Sequence, residues 1–242
     1  MTAILLTFTI FWWLIVGPPL LALAMLALGA FNIQWNFFLK ATHHGDPSHR
    51  QLALTFDDGP HPVFTPHVLA LLKAYGAQAT FFCIGRHVAQ HAGLVRHAHE
   101  QGHLVGNHSF THSPTIDFHS QAKWLEELRQ TDEAIAHAIG VRPRFFRPPY
   151  GVTTPHLAQA IKKSGHTVIG WRVRPYDTVD QSPRRIVRKV LKKTKAGDII
   201  LLHDTHDRIV PVLEQLLPEL QKRGYTMVTI ETLIRQHAYA NT

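Results

Sequence analysis

No ionisable side chain of the Asp, Glu, Lys, Arg or His type interrupts the first 39 residues of this chain, and Lys40 is the first charged group. A bilayer core roughly 30 Å thick is crossed by about 20 apolar helical residues. The stretch 1–39 exceeds that length and is expected to be embedded in a membrane, with Trp12, Trp13 and Trp35 as interfacial anchors. A secretory signal would open with positive residues, and none is present, although Ala22-Leu23-Ala24 mimics a cleavage site. Gly17-Pro18-Pro19 divides the stretch into residues 1–16 and 20–39. At about 1.5 Å per residue these are roughly 24 Å and 30 Å long, so either a kinked single span or a helical hairpin broken at the prolines is expected. A hairpin would return the chain to the side of its N-terminus, where Lys40 and Arg50 favour the cytoplasmic face. A single span with its N-terminus inside is the expectation adopted, with residues 40–242 lying outside the cytoplasm and anchored to a bacterial inner membrane.

The rest of the chain reads as one domain. Of 242 residues 45% are apolar and 17% charged, which excludes disorder as the main state. The lone Cys83 excludes an internal disulfide and any multi-cysteine metal site. Lys and Arg exceed Asp and Glu by 25 − 17 = 8, which favours anionic partners without naming one. Histidine is unusually frequent, at 19 residues.

Residues 40–50 read as a polar linker. Seven short apolar or β-rich runs follow: Gln51–Phe56, Ala79–Ile84, Leu104–Asn107, Phe145–Phe146, Thr167–Val173, Ile199–Leu202 and Thr226–Ile230. Helical patterns separate most of them, at Thr65–Tyr75, Gln121–Ile139, Pro155–Ser164, Arg184–Lys193 and Val210–Arg223. This alternation predicts parallel strands with crossover helices, an α/β, barrel-like domain over 51–242.

In such folds the active site gathers at the C-terminal ends of strands. Thr55-Phe56-Asp57-Asp58-Gly59-Pro60 closes the first run with two adjacent carboxylates, which repel unless a cation or arginine stands by. His108 and His112 follow the third run and could face one metal if that segment is helical. His87 and His91 share the same spacing and, with His97, His99 and His103, read instead as solvated surface. The fourth run ends in Arg147-Pro148-Pro149-Tyr150-Gly151, a rigid turn carrying an arginine fork. The fifth is followed by Asp177, and the sixth ends in Leu201-Leu202-His203.

These segments, in this order, resemble the polysaccharide deacetylase (NodB-homology) family of carbohydrate esterases over about residues 51–235. The resemblance implies a distorted (β/α) barrel and a divalent metal, usually Zn²⁺ with Co²⁺ or a similar ion as substitute. It implies hydrolysis of an N-acyl group, acetyl or formyl, from an amino sugar. By motif, Asp57 is the general base and Asp58, His108 and His112 the metal ligands. Arg147 orients Asp57, and the Tyr150 amide helps hold the oxyanion. His203 is the general acid, tuned by Asp177, and Pro149 and Leu201 belong to the substrate pocket. One departure is Thr178, where the family often has Trp directly after the aspartate, so an aromatic wall of the groove is missing or supplied from elsewhere.

The expected partners are the bilayer and an amino-sugar substrate, a lipid-linked sugar with cell-wall glycan or chitooligosaccharide as the alternative. Other classes fit less well. A sugar-binding module without turnover needs neither Asp57 nor His203, and a metal buffer needs clustered histidines. The basic run Arg184, Arg185, Arg188, Lys189, Lys192, Lys193 and Lys195 lies on one helix and its exit without a recognition motif, so no nucleic acid is expected.

Overall fold

The computed structural model describes residues 2–240. Met1 of the expected anchor and Asn241 and Thr242 of the expected domain lie outside the described residues. The elements are α1 (Thr2–Phe31), β1 (Ala41–Thr42), β2 (Gln51–Asp57), α2 (Phe64–Ala74), β3 (Ala79–Cys83), α3 (Gly85–Gln90), α4 (Ala92–Glu100), β4 (Leu104–Asn107) and α5 (Gln121–Ile139). After them come β5 (Phe145–Phe146), α6 (Pro155–Ser164), β6 (Thr167–Ile169), α7 (Pro183–Lys193), β7 (Ile199–His203), α8 (Ile209–Lys222), β8 (Thr226–Met227) and α9 (Ile230–Ile234).

The sheet is parallel throughout, in the order β1-β6-β5-β4-β3-β2-β7, with β8 also paired to β2. It curls. Val173, on the chain leaving β6, pairs in parallel with Ile200 of β7, so the two ends of the sheet approach each other. The result is the distorted α/β barrel that the sequence predicts.

Strand alternation decides what faces inward. Leu52, Leu54 and Phe56 of β2 pack with α2 and α8 residues such as Leu69 and Leu216 in the outer core, as do Ile200 and Leu202 of β7. Ala53, Ile199 and Leu201 belong to the inner core with Phe82, Phe146 and Trp171. The same period carries Asp57 and His203 to the inner side, at residues paired across the two strands.

Four expectations change. The run Thr167–Val173 forms a strand only to Ile169, because Gly170 turns away and donates its N–H to Thr42 at 2.8 Å. That bond and the β1–β6 pairing put part of the 40–50 segment into the sheet. In Thr226–Ile230 only Thr226 and Met227 are strand, since the Thr229 side chain accepts the Thr232 N–H and starts α9. His87 is half-buried and His103 buried, so neither is free surface. His87 donates from Nδ1 to the Asp58 carbonyl at 2.9 Å, and buried His103 accepts the Ala79 N–H at 3.2 Å.

Helix α1 runs on through Pro18 and Pro19 as one element, rather than turning back there as a hairpin. Its Trp12–Phe31 portion is long and apolar enough to cross a membrane and is hardly covered by the rest of the chain.

Candidate active site

A cavity of about 160 Å³ opens at the C-terminal ends of β2, β4 and β7, lined by Asp57, Asp58, His108, His112, Leu201 and His203. Tyr150, Gly151, Trp171, Arg174 and Thr178 complete its wall.

Asp57 ends β2 facing inward. Asp58 would point to the opposite side if the strand continued, but its left-handed backbone, φ 72°, turns it into the same cavity. Gly59 then passes so close to Asp204 that a Cβ would meet Oδ1 at 2.5 Å, so a larger residue would have to push that carboxylate aside.

The two carboxylates are partnered differently. Arg147 is fully buried and donates from Nη1 to Asp57 Oδ1 at 2.7 Å and to Thr55 Oγ1 at 2.7 Å. It also donates to the Ile169 carbonyl at 3.2 Å and the Gly170 carbonyl at 3.0 Å, with its plane 4.2 Å from the Phe82 ring centroid. Burial draws the guanidinium pKa down, while the Asp57 charge opposes this. Asp57 Oδ2 is left to face His108 Nε2 at 3.9 Å.

Asp58 lies with Oδ1 3.3 Å from His108 Nε2 and 3.2 Å from His112 Nε2. Burial raises its pKa, but the neighbouring histidines, His108 foremost and then His112 and His203, win and hold the carboxyl well below its usual range. Asp58 Oδ1 is buried without a hydrogen-bond partner, and the ligand atoms of Asp58, His108 and His112 lie within 4.8 Å of one another. His108 donates from Nδ1 to the Arg147 carbonyl at 2.7 Å, which fixes the tautomer and leaves the Nε2 lone pair facing Asp58. Burial, then His108, push the His112 pKa down to about 4, so its ring is neutral at pH 7. One carboxylate and two imidazoles suit a divalent cation of the zinc type with coordination positions to spare.

The route to this geometry is not a helix. Residues 108–112 form a loop with left-handed backbone at Ser109 (φ 64°) and His112 (φ 48°), so the helical i,i+4 expectation is corrected. The loop is shaped by Glu127 of α5, a buried carboxylate that accepts the Phe110 and Thr111 N–H groups, both at 2.8 Å, and the Thr111 hydroxyl at 2.7 Å.

On the opposite wall His203 donates from Nδ1 to Asp177 Oδ1 at 3.1 Å, leaving Nε2 4.0 Å from Asp58 Oδ2. Burial lowers its pKa, but the Asp177 bond and the charges of Asp177, Asp57 and Asp58 outweigh it and raise the group to about 9. Asp177 is fully buried; burial alone would raise its pKa, and bonds from His203 and His206 hold it far below the usual range. Sequence reasoning misses two supporting groups, His206, on Asp177 Oδ2 at 3.3 Å, and Glu127. Both stand far along the chain from the groups they serve.

Of the expected pocket residues, Leu201 lines the cavity, whereas Pro149 is buried in its turn and does not. Among the described residues the Tyr150 N–H has no protein acceptor, the turn being closed instead by Gly151 and Val152. Gly151, at φ 73°, lets Trp171 pack so near that a Cβ would meet its ring at 2.3 Å. Trp171 and Tyr150 thus supply aromatic walls beside Thr178.

Known proteins resemble this chain in sequence and in fold. The family profile described as polysaccharide deacetylase matches residues 44–169. A peptidoglycan-N-acetylglucosamine deacetylase of Bacillus cereus is 37% identical over 76% of this chain and 88% of its own length. A chitooligosaccharide deacetylase of Bradyrhizobium is 36% identical over 78% of this chain and 93% of its own. The Listeria monocytogenes peptidoglycan deacetylase PgdA, also 37% identical, is matched over 77% of this chain but only 39% of its own length. Among solved structures, a peptidoglycan N-acetylglucosamine deacetylase superposes with a TM-score of 0.77 at 27% identity, over 82% of this chain and 94% of that one. The shared barrel and the extent of these matches make this chain a member of the polysaccharide deacetylase family of hydrolases.

Proposed function

We propose that the protein removes an N-acyl group, acetyl or formyl, from an amino sugar in a divalent-metal-dependent hydrolysis. Zn²⁺ is the metal proposed, with Co²⁺ able to replace it. The observation that carries this reading is the unequal treatment of neighbouring carboxylates. Asp57 has one oxygen locked on a buried arginine, while Asp58 faces two imidazole Nε2 atoms.

Asp58, His108 and His112 would hold the cation, which supplies Lewis acidity to an amide carbonyl and to water. Asp57 Oδ2 takes the proton of the attacking water, with Arg147 holding the other carboxylate oxygen and aiming the group. The Tyr150 N–H donates to the oxygen on which negative charge develops. An amine leaves poorly as an anion, and His203 Nε2–H protonates it while Asp177 holds Nδ1–H. Leu201 lines the space for the acyl group.

The amino sugar proposed is membrane-associated and lipid-linked; cell-wall glycan or chitooligosaccharide is the second reading, favoured by the names of the relatives. Purified full-length protein in detergent should release acetate or formate from N-acylated amino sugars when supplied with Zn²⁺ or Co²⁺. Activity that survives complete removal of metal would overturn the mechanism. Asp58→Ala, His108→Ala and His112→Ala should lose metal, whereas Asp57→Asn should keep metal and lose at least about 10³-fold in kcat, more than the usual contribution of a general base at its lower limit. Mass spectrometry of lipid-linked sugars and of wall glycan, from cells with and without the protein, separates the two substrates.

A further inference from the structure

The exit of α1 is fastened to the rim of the catalytic cavity. The Ala30 carbonyl accepts the Thr153 N–H at 2.9 Å, just beyond the Tyr150 turn. Gln34 Nε2 donates to the Trp171 carbonyl at 2.9 Å, and Ile33 is buried in the inner core. Between this exit and the Trp171–Tyr176 segment lies a second groove of about 390 Å³, whose walls include Leu28, Phe31, Trp35, Trp171, Arg174 and Tyr176. Trp171 and Arg174 also line the catalytic cavity, so the two spaces share a wall.

That shared wall carries an uncommitted cation. The Arg174 guanidinium lies 5.2 Å from the Trp171 ring centroid and 5.1 Å from that of Tyr176. Among the described residues it makes no hydrogen bond or ion pair, whereas its neighbour Arg172 pairs with Asp198 and Arg185 pairs with Asp180. Stacking on rings restrains a guanidinium plane and leaves its N–H edge free for a planar or tetrahedral oxyanion. The opposite side of the groove carries the apolar Leu28, Phe31 and Trp35, with Asn32 and Gln34 between them, and continues into a membrane-length helix, with Phe31 75% exposed and Trp35 56% exposed.

A cation beside the sugar site and an apolar wall beyond it match one kind of molecule. We propose that this groove is a subsite for a phosphate attached to the amino sugar, on an amphiphile whose apolar chain enters the bilayer alongside α1. The proposal rests on the N-deacylase reading of the adjoining cavity. A neutral glycan offers no charge to the Arg174 edge and no apolar chain to the Leu28–Phe31–Trp35 wall.

The test uses full-length protein in phosphatidylcholine nanodiscs, loaded with Zn²⁺. Three probes are compared: N-acetylglucosamine joined through phosphate to a short prenyl chain, N-acetylglucosamine 1-phosphate, and neutral tetra-N-acetylchitotetraose. The prenyl-phosphate sugar should have the highest kcat/KM. Arg174→Gln should cut that value at least tenfold, mainly through KM, and cut the ratio of phosphorylated to neutral turnover by a similar factor. Phe31→Ser with Trp35→Ser should weaken the prenylated probe more than the 1-phosphate. Equal losses on all three probes would reduce Arg174 to a general cavity residue and overturn the proposal. Inhibition by phosphatidylglycerol, relieved in Arg174→Gln without any preference among the sugars, would assign the groove to a lipid headgroup and overturn it too. Turnover of the neutral probe without preference sinks the subsite alone; no turnover of any probe sinks the deacylase reading. Equilibrium binding to Asp57→Asn reads the subsite apart from turnover: the phosphorylated probes should bind about tenfold more tightly than the neutral one, and equal affinities refute the subsite.

Discussion

His103 is a histidine that folding keeps neutral. Its Nδ1 accepts the Ala79 N–H, and burial, followed by the charge of His97, pushes its pKa from 6.5 down to about 4. Above pH 6.5 the ring is neutral folded or unfolded and contributes no pH dependence. As pH falls from 6.5 towards 4, the unfolded chain binds a proton that the folded chain refuses, so stability is lost through that window. The loss at pH 5 should be about 2 kcal/mol from this residue alone. Urea unfolding at pH 7.5 and pH 5 should therefore show a smaller acid penalty in His103→Asn, and identical penalties would refute the assignment. In the sequence His103 is one more polar residue after a helix. Its burial depends on β3 lying beside β4, a tertiary fact that no local pattern carries. Asp57, Arg147 and His203 are legible for the opposite reason: each ends or follows an apolar run, where the strand period alone sets the inward direction.

At the scale of elements, α5 does more than cover the sheet. Ser120 caps its start by accepting the Lys123 N–H, and Gly140 closes its end with φ 82°. Between them Glu127 faces the loop that presents His112. Replacing it by Ala would leave two backbone N–H groups and a hydroxyl without their acceptor. The expected costs are about 2 kcal/mol or more in stability and roughly 10- to 100-fold in metal affinity, as for other groups that orient ligands. Zinc titration of Glu127→Ala, with Glu127→Gln as a partial rescue, measures this; unchanged affinity would show that the loop holds its shape without α5. The boundaries of α5 and α6 are readable to the residue from caps, Pro155 and Gly140. The 108–112 loop is not, because left-handed backbone at Ser109 and His112 is imposed by partners on α5 rather than by the residues' own preferences. β1 is invisible for a related reason: two residues, Ala41 and Thr42, have no periodicity to detect.

Across the whole molecule, the boundary at residue 39 drawn from charge does not coincide with the packing. Ala30, Ile33 and Gln34 already contact the catalytic domain. Residues 1–39 should therefore be costlier to delete than residues 1–27. Burial of Ile33 and two hydrogen bonds suggest a difference of about 3 kcal/mol, or roughly 6–12 °C in Tm for a domain of this size. Thermal melts of the two truncated proteins test this, and coincident melts would mean that the α1 exit is only draped on the domain. The proposed orientation, with the catalytic domain outside the cytoplasm, predicts that an alkaline phosphatase fused after Thr242 is active and a fluorescent protein there is dark. The reverse pattern would place the domain inside.

The bonds from Ala30 to Thr153 and from Gln34 to Trp171 also set a working distance. An enzyme on a flexible stalk sweeps a volume whose radius is the stalk's length. With α1 in a bilayer, this mouth is bolted at the height of the helix end and sweeps almost nothing. In that setting supply would fall to lateral diffusion in two dimensions, and the glycans within reach would be those that travel in the membrane or are spun out directly above it.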